Sequence, residues 1–335
     1  MERTRIIPFA SNKCRQSSTS VDLRKAMSIS CAKPARSNAK ANLFKANGIN
    51  KDSPYRGSCF ILATKHAKSI AIAPSFLENI GTGVIEYVCD TDQLGTFSGE
   101  IERKDSALEC ARCKCELALE KLGSGVEFVL ASEGSFGPHS FIPFLPRDQE
   151  ILYFIDRRHD FHLHLSHVSA NTNYQMKSIT SFDELKAFLT SSQFPSHGLI
   201  LRPNNKESSN LIFKGVCDES ELKEAFKRCQ KKSSDSMVWV ETDMRAHMNP
   251  SRMEVIRELA NKLSLRLASH CPKCSMPGWG IVSTESGLRC EDCGLPTELT
   301  KYEIFGCVKC AYEEVLDRKD CLKQASPRFC NYCNP

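Results

Sequence analysis

From residue 58 onward the chain runs in short apolar segments separated by polar ones, and their periods predict an α/β order. Residues 59–64 (CFILAT), 84–89 (VIEYVC) and 126–131 (VEFVLA) read as short apolar strands. Between the last two, residues 106–122 read as a helix, with Ser106 and Glu109 at capping-box spacing. Residues 151–155 and 161–168 bracket a polar turn and predict a hairpin. Its second arm alternates, with His162, His164 and Ser166 on one face and Leu163, Leu165 and His167 on the other. Residues 182–189 and 220–230 read as helices, 198–201 and 210–216 as a second hairpin, and 237–241 (MVWVE) as a strand. The last helix is expected over 250–268, with Asn249 as its N-cap and Pro250 in the first turn. Strands alternating with helices, interrupted by hairpins, predict a mixed sheet covered by helices over residues 54–268.

The pattern then changes character. Residues 269–335 hold four Cys-x-x-Cys pairs: Cys271/Cys274, Cys290/Cys293, Cys307/Cys310 and Cys330/Cys333. Gaps of 15, 13 and 19 residues separate them. Two thiolates two residues apart can face one ion from a tight turn, and two such turns close a tetrahedral zinc site with no open position. The expectation is a zinc-ribbon module with two structural zinc ions. Pairing in sequence order, 271/274/290/293 and 307/310/330/333, is the leading arrangement. A cross-braced one, first pair with third and second with fourth, fits the same spacings. Gly294 and Asn334 each follow the second thiol of a pair, where a left-handed backbone lets amides approach the sulfurs. Cys321 is an extra thiol in the last gap, read as a small buried side chain rather than a ligand.

Charge changes the picture at the N-terminus. Residues 1–53 carry 11 Lys/Arg against 3 Asp/Glu, a net +8, and are Ser-rich without sustained periodicity. They read as a disordered basic extension, with an organelle transit peptide as one interpretation. Residues 54–268 are net −2 and 269–335 net −1. Four thiolates around each zinc make the ribbon more acidic still, which argues against nucleic acid as a partner. No run of 18 apolar residues exists, so no membrane span is expected. Scattered single thiols among the 18 cysteines suggest an intracellular, reducing compartment, cytoplasmic or in an organelle such as a plastid or mitochondrion. The oligomeric state is not legible.

Several polar stretches follow predicted strands, where open α/β sheets place ligand sites. Lys65, His66 and Lys68 come after the first strand and could hold an anion, or form a solvated basic turn. Asp90, Asp92, Glu100 and Glu102 fall within 13 residues of a Gly-containing loop that ends at Arg103. They are candidate magnesium ligands, with capping and turn chemistry as the other reading. Ala131–His139 (ASEGSFGPH) is read as a loop after a buried strand, with Glu133 as metal ligand or general base and His139 as proton carrier or phosphate contact, or else as a Gly-Pro turn with a satisfied His. Asp243, Arg245, His247 and Arg252 fall at the start of the last helix, as an acid/base or anion-binding group or as an Asp/Arg salt bridge fixing the helix entry. His159, His162, His164 and His167 lack acid or thiol partners at fixed spacing and are not read as a metal site.

At these motifs the chain resembles an uncharacterised family, domain-of-unknown-function family 6671. The phrases ATKH (63–66), DTDQLGTFSGEIER (90–103), ASEGSFGPH (131–139), FPSHGLILRP (194–203), TDMRAHMNPSRM (242–253) and CPKCSMPGWG (271–280) carry the resemblance, over about residues 55–300. It implies no activity. At fold level the order ATKHAK, GTFSGEIER, helix, VLASEGS is also similar to inosine-triphosphate pyrophosphatases and Maf-like proteins. That likeness implies magnesium on Glu100, Glu102 and Glu133 and a phosphate on Lys65 or Lys68. The chain departs from it in a shorter first turn with His66 where Asn is usual, and in ASEGS where an Asp-Asp-Ser-Gly turn stands. The expected function is a metal-dependent hydrolase of a phosphorylated or nucleotide-like small molecule. The rival is a non-catalytic binding protein whose ribbons dock a protein or RNA partner.

Overall fold

Strand parity sorts the apolar side chains of the first sheet into two cores. The computed structural model describes residues 53–89, 105–139, 142–207 and 211–335. The extension 1–52 and the acidic stretch 90–104 lie outside the described residues. Five strands form the first sheet: β1 (Cys59–Ala63), β2 (Gly83–Tyr87), β3 (Phe128–Pro138), β4 (Pro146–Asp156) and β5 (Phe161–Ser169). Their order is β2-β1-β3-β4-β5, with β1 parallel to β2 and β3 and the β3–β4–β5 pairs antiparallel. Phe60, Leu62, Phe128, Leu130, Leu152, Phe154 and Leu163 face one side, against helices α1 (Ser69–Ile80) and α5 (Pro250–Ala268). Ala63, Val129, Ala131, Ile151, Tyr153 and Ile155 face the other, against α2 (Ala107–Leu122).

The helix boundaries follow the expected caps. Ser106 accepts from the Glu109 amide at the start of α2, and Asn249 accepts from the Arg252 amide at the start of α5, with Pro250 in the first turn. The strands between β5 and α5 form a second, antiparallel sheet in the order β6-β9-β7-β8. These are β6 (Met176–Ile179), β7 (Leu199–Pro203), β8 (Phe213–Val216) and β9 (Val238–Thr242). Helices α3 (Phe182–Ser192) and α4 (Glu219–Lys232) pack on it around Leu185, Phe188, Leu201, Phe226 and Val240. So the strands between residues 54 and 268 divide between a mixed sheet and a separate antiparallel one.

Beyond α5 a third sheet, β10 (Gly280–Ser286), β11 (Thr300–Gly306) and β12 (Glu313–Asp317), carries the cysteine turns at its ends. It is anchored to the first sheet. Val308, between two knuckle residues, is buried in the same core as Phe154 and Leu163, and Met276 packs against that core. Lys309 donates to the Asp160 carboxylate at 2.9 Å, and Arg266 of α5 donates to the carbonyls of Gly278 and Ile281. Among the described residues no helix is long and apolar enough to cross a membrane.

Candidate functional site

The eight paired cysteines gather into two tetrads, and the pairing is crossed. Cys271 and Cys274 meet Cys307 and Cys310, while Cys290 and Cys293 meet Cys330 and Cys333. The sequential pairing is therefore overturned. The physical reason is the β10–β11 hairpin, whose antiparallel register pairs Gly280 with Gly306 and so brings the first knuckle to the third. The return of residues 318–330 past Cys290, which bridges to Ala325, brings the second to the fourth. Within each tetrad the Sγ atoms lie within 4.8 Å of one another, and the shortest approaches are 3.6–3.9 Å. A tetrahedral ion with metal–sulfur bonds of about 2.3 Å needs sulfur–sulfur edges of roughly 3.8 Å, so each tetrad can hold one ion. Ser275 (φ 59°) and Gly294 (φ 72°) take the left-handed turn after the second thiol, and the Lys309 and Cys310 amides point at the Cys307 sulfur, each at 3.3 Å. Cys321 is neither a ligand nor buried. It is exposed.

The second feature lies where β1 ends. β1 stops at Ala63, whereas β3 continues to Pro138, paired residue by residue with β4. This corrects the reading of 131–139 as a loop or Gly-Pro turn. The polar residues there lie on a strand, because β4 supplies its backbone with partners from Pro146 to Leu152. The chain leaving β1 places Lys68 against the extension, where its Nζ donates to the Ser132 carbonyl and hydroxyl, both at 3.1 Å. Ser132, Gly134 and Phe136 share a face by strand alternation, and across β4 Gly134 is paired with Glu150 and Phe136 with Asp148.

The start of α5 delivers Arg252 onto that face. Its Nε donates to Glu150 Oε1 at 2.5 Å, Nη1 donates to the Met244 carbonyl, and the guanidinium lies 5.0 Å from the Phe136 ring centroid. Lys68, Asp148, Glu150 and Arg252 are all at most 2% exposed. A Cβ on Gly134 would lie 2.6 Å from Glu150 Oε1 and 3.1 Å from Arg252 Cζ, so glycine is what leaves room for this pair. From the other face Lys114 of α2 pairs with Glu133. His66 stacks on His247, in the turn before α5, with centroids 5.1 Å apart.

Burial sets the protonation of the cluster, and charges modify it. Burial, then the Arg252 charge, lowers the Lys68 ammonium to about 7. Burial, then Lys68, lowers the His66 imidazole to about 3, and burial with Arg245 lowers His247 as well. Burial, then Glu150, pushes the Asp148 carboxyl up to about 8. Burial alone would raise Glu133, but Lys114 and Lys68 outweigh it and hold the carboxyl below its usual range. At neutral pH the cluster thus combines an ionised Glu133, a protonated Asp148, a lysine near its midpoint and two uncharged histidines. Groups displaced in opposite directions within one buried site concentrate where proteins do chemistry.

Of the residues singled out in sequence, Lys68, His66, Glu133 and His247 come together here through Arg252, whose charge acts on all four. Asp243 and Arg245 bond chiefly to each other, at 2.6–3.1 Å, in the turn that carries His247. His139 sits at the far end of the β3–β4 hairpin, its amide donating to the Leu145 carbonyl, and Lys65 lies partly exposed in the turn after β1. The candidate magnesium ligands Asp90, Asp92, Glu100 and Glu102, together with Arg103, lie outside the described residues. Asp148, Glu150 and Lys114 were not singled out. A signal existed for the first two: Asp148, Glu150, Leu152 and Phe154 keep one parity, so the strand read over 151–155 could have been extended upstream. The four clustered histidines divide among three partners. His159 bonds Asp156, His167 pairs with Glu258, and His162 and His164 lie against Tyr153.

Residues 114–335 match the family model described as "Domain of unknown function (DUF6671)". The match starts later than the resemblance over 55–300 suggested and runs on through both tetrads to the last residue. No curated protein matches the chain.

Proposed function

The chain belongs to the DUF6671 family, and on that premise we propose that it is a metal-dependent hydrolase of a phosphorylated, nucleotide-like small molecule, with zinc in both cysteine tetrads. The observation that carries the reading is the buried convergence of Lys68, Arg252, Lys114 and Glu133 at the carboxyl end of β1. Two cations able to neutralise a phosphate stand beside a carboxylate fixed in its ionised form. A divalent cation would supply polarisation of the phosphate and orientation of a water molecule. Lys68 and Arg252 would draw charge from the phosphate oxygens. Glu133, held low by Lys114 and Lys68, is too weak a base to strip a proton early, so its role is to orient. The tetrads, closed on all four sides by thiolates, are structural and take no part in the reaction.

The test is a panel of nucleotides and sugar or polyol phosphates with magnesium or manganese. Wild type should release phosphate or pyrophosphate from at least one compound, and Glu133→Gln should lose that release while remaining folded. Activity equal in both proteins would refute the assignment. One observation favours the rival reading, a non-catalytic protein that docks a partner. The second tetrad exposes Phe329 and Tyr332, at 45% and 74%. A panel inactive throughout would turn the account toward that surface.

A further inference from the structure

Two buried acids in the cluster are short of donors, and three of their four oxygens have none. Asp148 is fully buried, yet neither of its oxygens meets a hydrogen-bond donor, and Glu150 Oε2 is unpartnered as well. Only Glu150 Oε1 is satisfied, by Arg252. A carboxylate buried without a partner is costly, and proteins keep such groups where a proton, a partner or a cation completes them. Most donors around this face are engaged elsewhere, although Arg252 Nη2 is itself buried without a hydrogen-bond partner. Lys68 is committed to Ser132, Lys114 to Glu133, and Arg252 to Glu150 and the Met244 carbonyl. The two acids lie two residues apart on one strand, so they present their oxygens in the same direction.

We propose that Asp148 and Glu150 form a binding site for a hard divalent cation of the magnesium class. The donor set selects that class. It is all oxygen, which disfavours zinc. It has two carboxylates, where calcium takes six to eight oxygen ligands. Magnesium binds through one or two carboxylates and keeps its other positions for water and phosphate oxygens. Among the described residues no third His, Cys, Asp or Glu joins the pair within ligand distance. The remaining positions therefore belong to water and to a ligand's oxygens. Such an ion would stand on the same face as Lys68 and Arg252, where a phosphate could bridge all three. That last step rests on the hydrolase reading, whereas cation binding itself does not.

The experiment is a manganese titration of the full, zinc-loaded chain without substrate, followed by electron paramagnetic resonance. Asp148→Asn is the variant, since it keeps the shape and removes the carboxylate that a cation would bind on displacing the Asp148 proton. Wild type should bind one manganese that magnesium displaces, and Asp148→Asn should weaken binding at least tenfold with its zinc content unchanged. Without manganese the variant should melt no lower than wild type, because it discards an unpartnered buried acid. A purely structural Asp148 would instead lower the melting temperature and leave manganese affinity unmoved. Absence of manganese binding, or equal binding by both proteins, overturns the proposal and assigns the pair to a shared proton. If manganese binds as expected while the phosphoester panel is silent, the cation site stands and the hydrolase reading falls. If hydrolysis is found but Asp148→Asn binds manganese like wild type, the cation site alone is refuted.

Discussion

Gly134→Ala asks whether the Arg252–Glu150 pair is as tightly built as its geometry implies. A Cβ at residue 134 would lie 2.6 Å from Glu150 Oε1 and 3.1 Å from Arg252 Cζ, both inside van der Waals contact. Neither side chain can step aside into solvent, because both are fully buried. The added methyl must therefore open the 2.5 Å ion pair or push the β3–β4 extension away from α5. Breaking a buried pair while leaving both charges inside costs about 3–5 kcal/mol. For a cooperative unit of this size, roughly 2–4 °C per kcal/mol translates that into a melting-temperature loss on the order of 10 °C. Gly137→Ala is the internal control. It lies three residues along the same strand with nothing within 4 Å of its would-be Cβ. Its effect should stay within about 0.5 kcal/mol. Urea unfolding of the two variants beside wild type gives the comparison directly. If Gly134→Ala is as stable as Gly137→Ala, the charged cluster is looser than described, and the argument for a preorganised site fails with it.

Three further outcomes follow from the same structure. Lys68 is lowered to about 7 in the folded chain, so between about pH 7 and 10.5 the unfolded state holds the proton that the folded state has released. Wild-type stability should rise with pH across that window relative to Lys68→Met, by up to about 1.4 kcal/mol per pH unit, in denaturant titrations at stepped pH. A gap between the two proteins that does not change with pH would contradict the burial of a lysine there. Cys274→Ser, in the tetrad whose knuckle carries core residue Val308, should lower the melting temperature of the main body more than Cys333→Ser in the outer tetrad. Equal effects in calorimetry would sever the link between the first ion and the core. Elemental analysis should return two zinc ions per chain for wild type and about one for each of those variants, and one or none in wild type would refute the zinc assignment.

Much of the fold could be read from parity and capping. The alternation in 161–168, the capping box at Ser106 and Glu109, and the Asn249-Pro250 start are local signals, and the structure forms each element with little shift. What escaped was non-local. Residues 132–138 look like a turn because Gly134, Gly137 and Pro138 are poor strand formers, and only pairing with β4 makes them a strand. The same limit hid the crossed tetrads. Knuckle spacing is compatible with either pairing, and the choice is made by the β10–β11 hairpin register. It also hid the division into two sheets, since strand order along the chain does not say which strands share hydrogen bonds. At the candidate site, Lys68 and Glu133 were visible as polar residues after apolar runs. Asp148 and Glu150 were not, because acids at the start of a strand look solvated until Arg252 arrives from a helix 102 residues away.

The central claim is that the buried cations at the end of β1 receive a phosphate group. Isothermal titration of the zinc-loaded chain with inorganic pyrophosphate, with and without magnesium, tests it most directly. The account predicts saturable binding by wild type that magnesium strengthens. Lys68→Met, which keeps the apolar stem and removes the ammonium, should weaken that binding at least tenfold. Pyrophosphate that fails to bind, or that binds Lys68→Met as tightly as wild type, would contradict the claim.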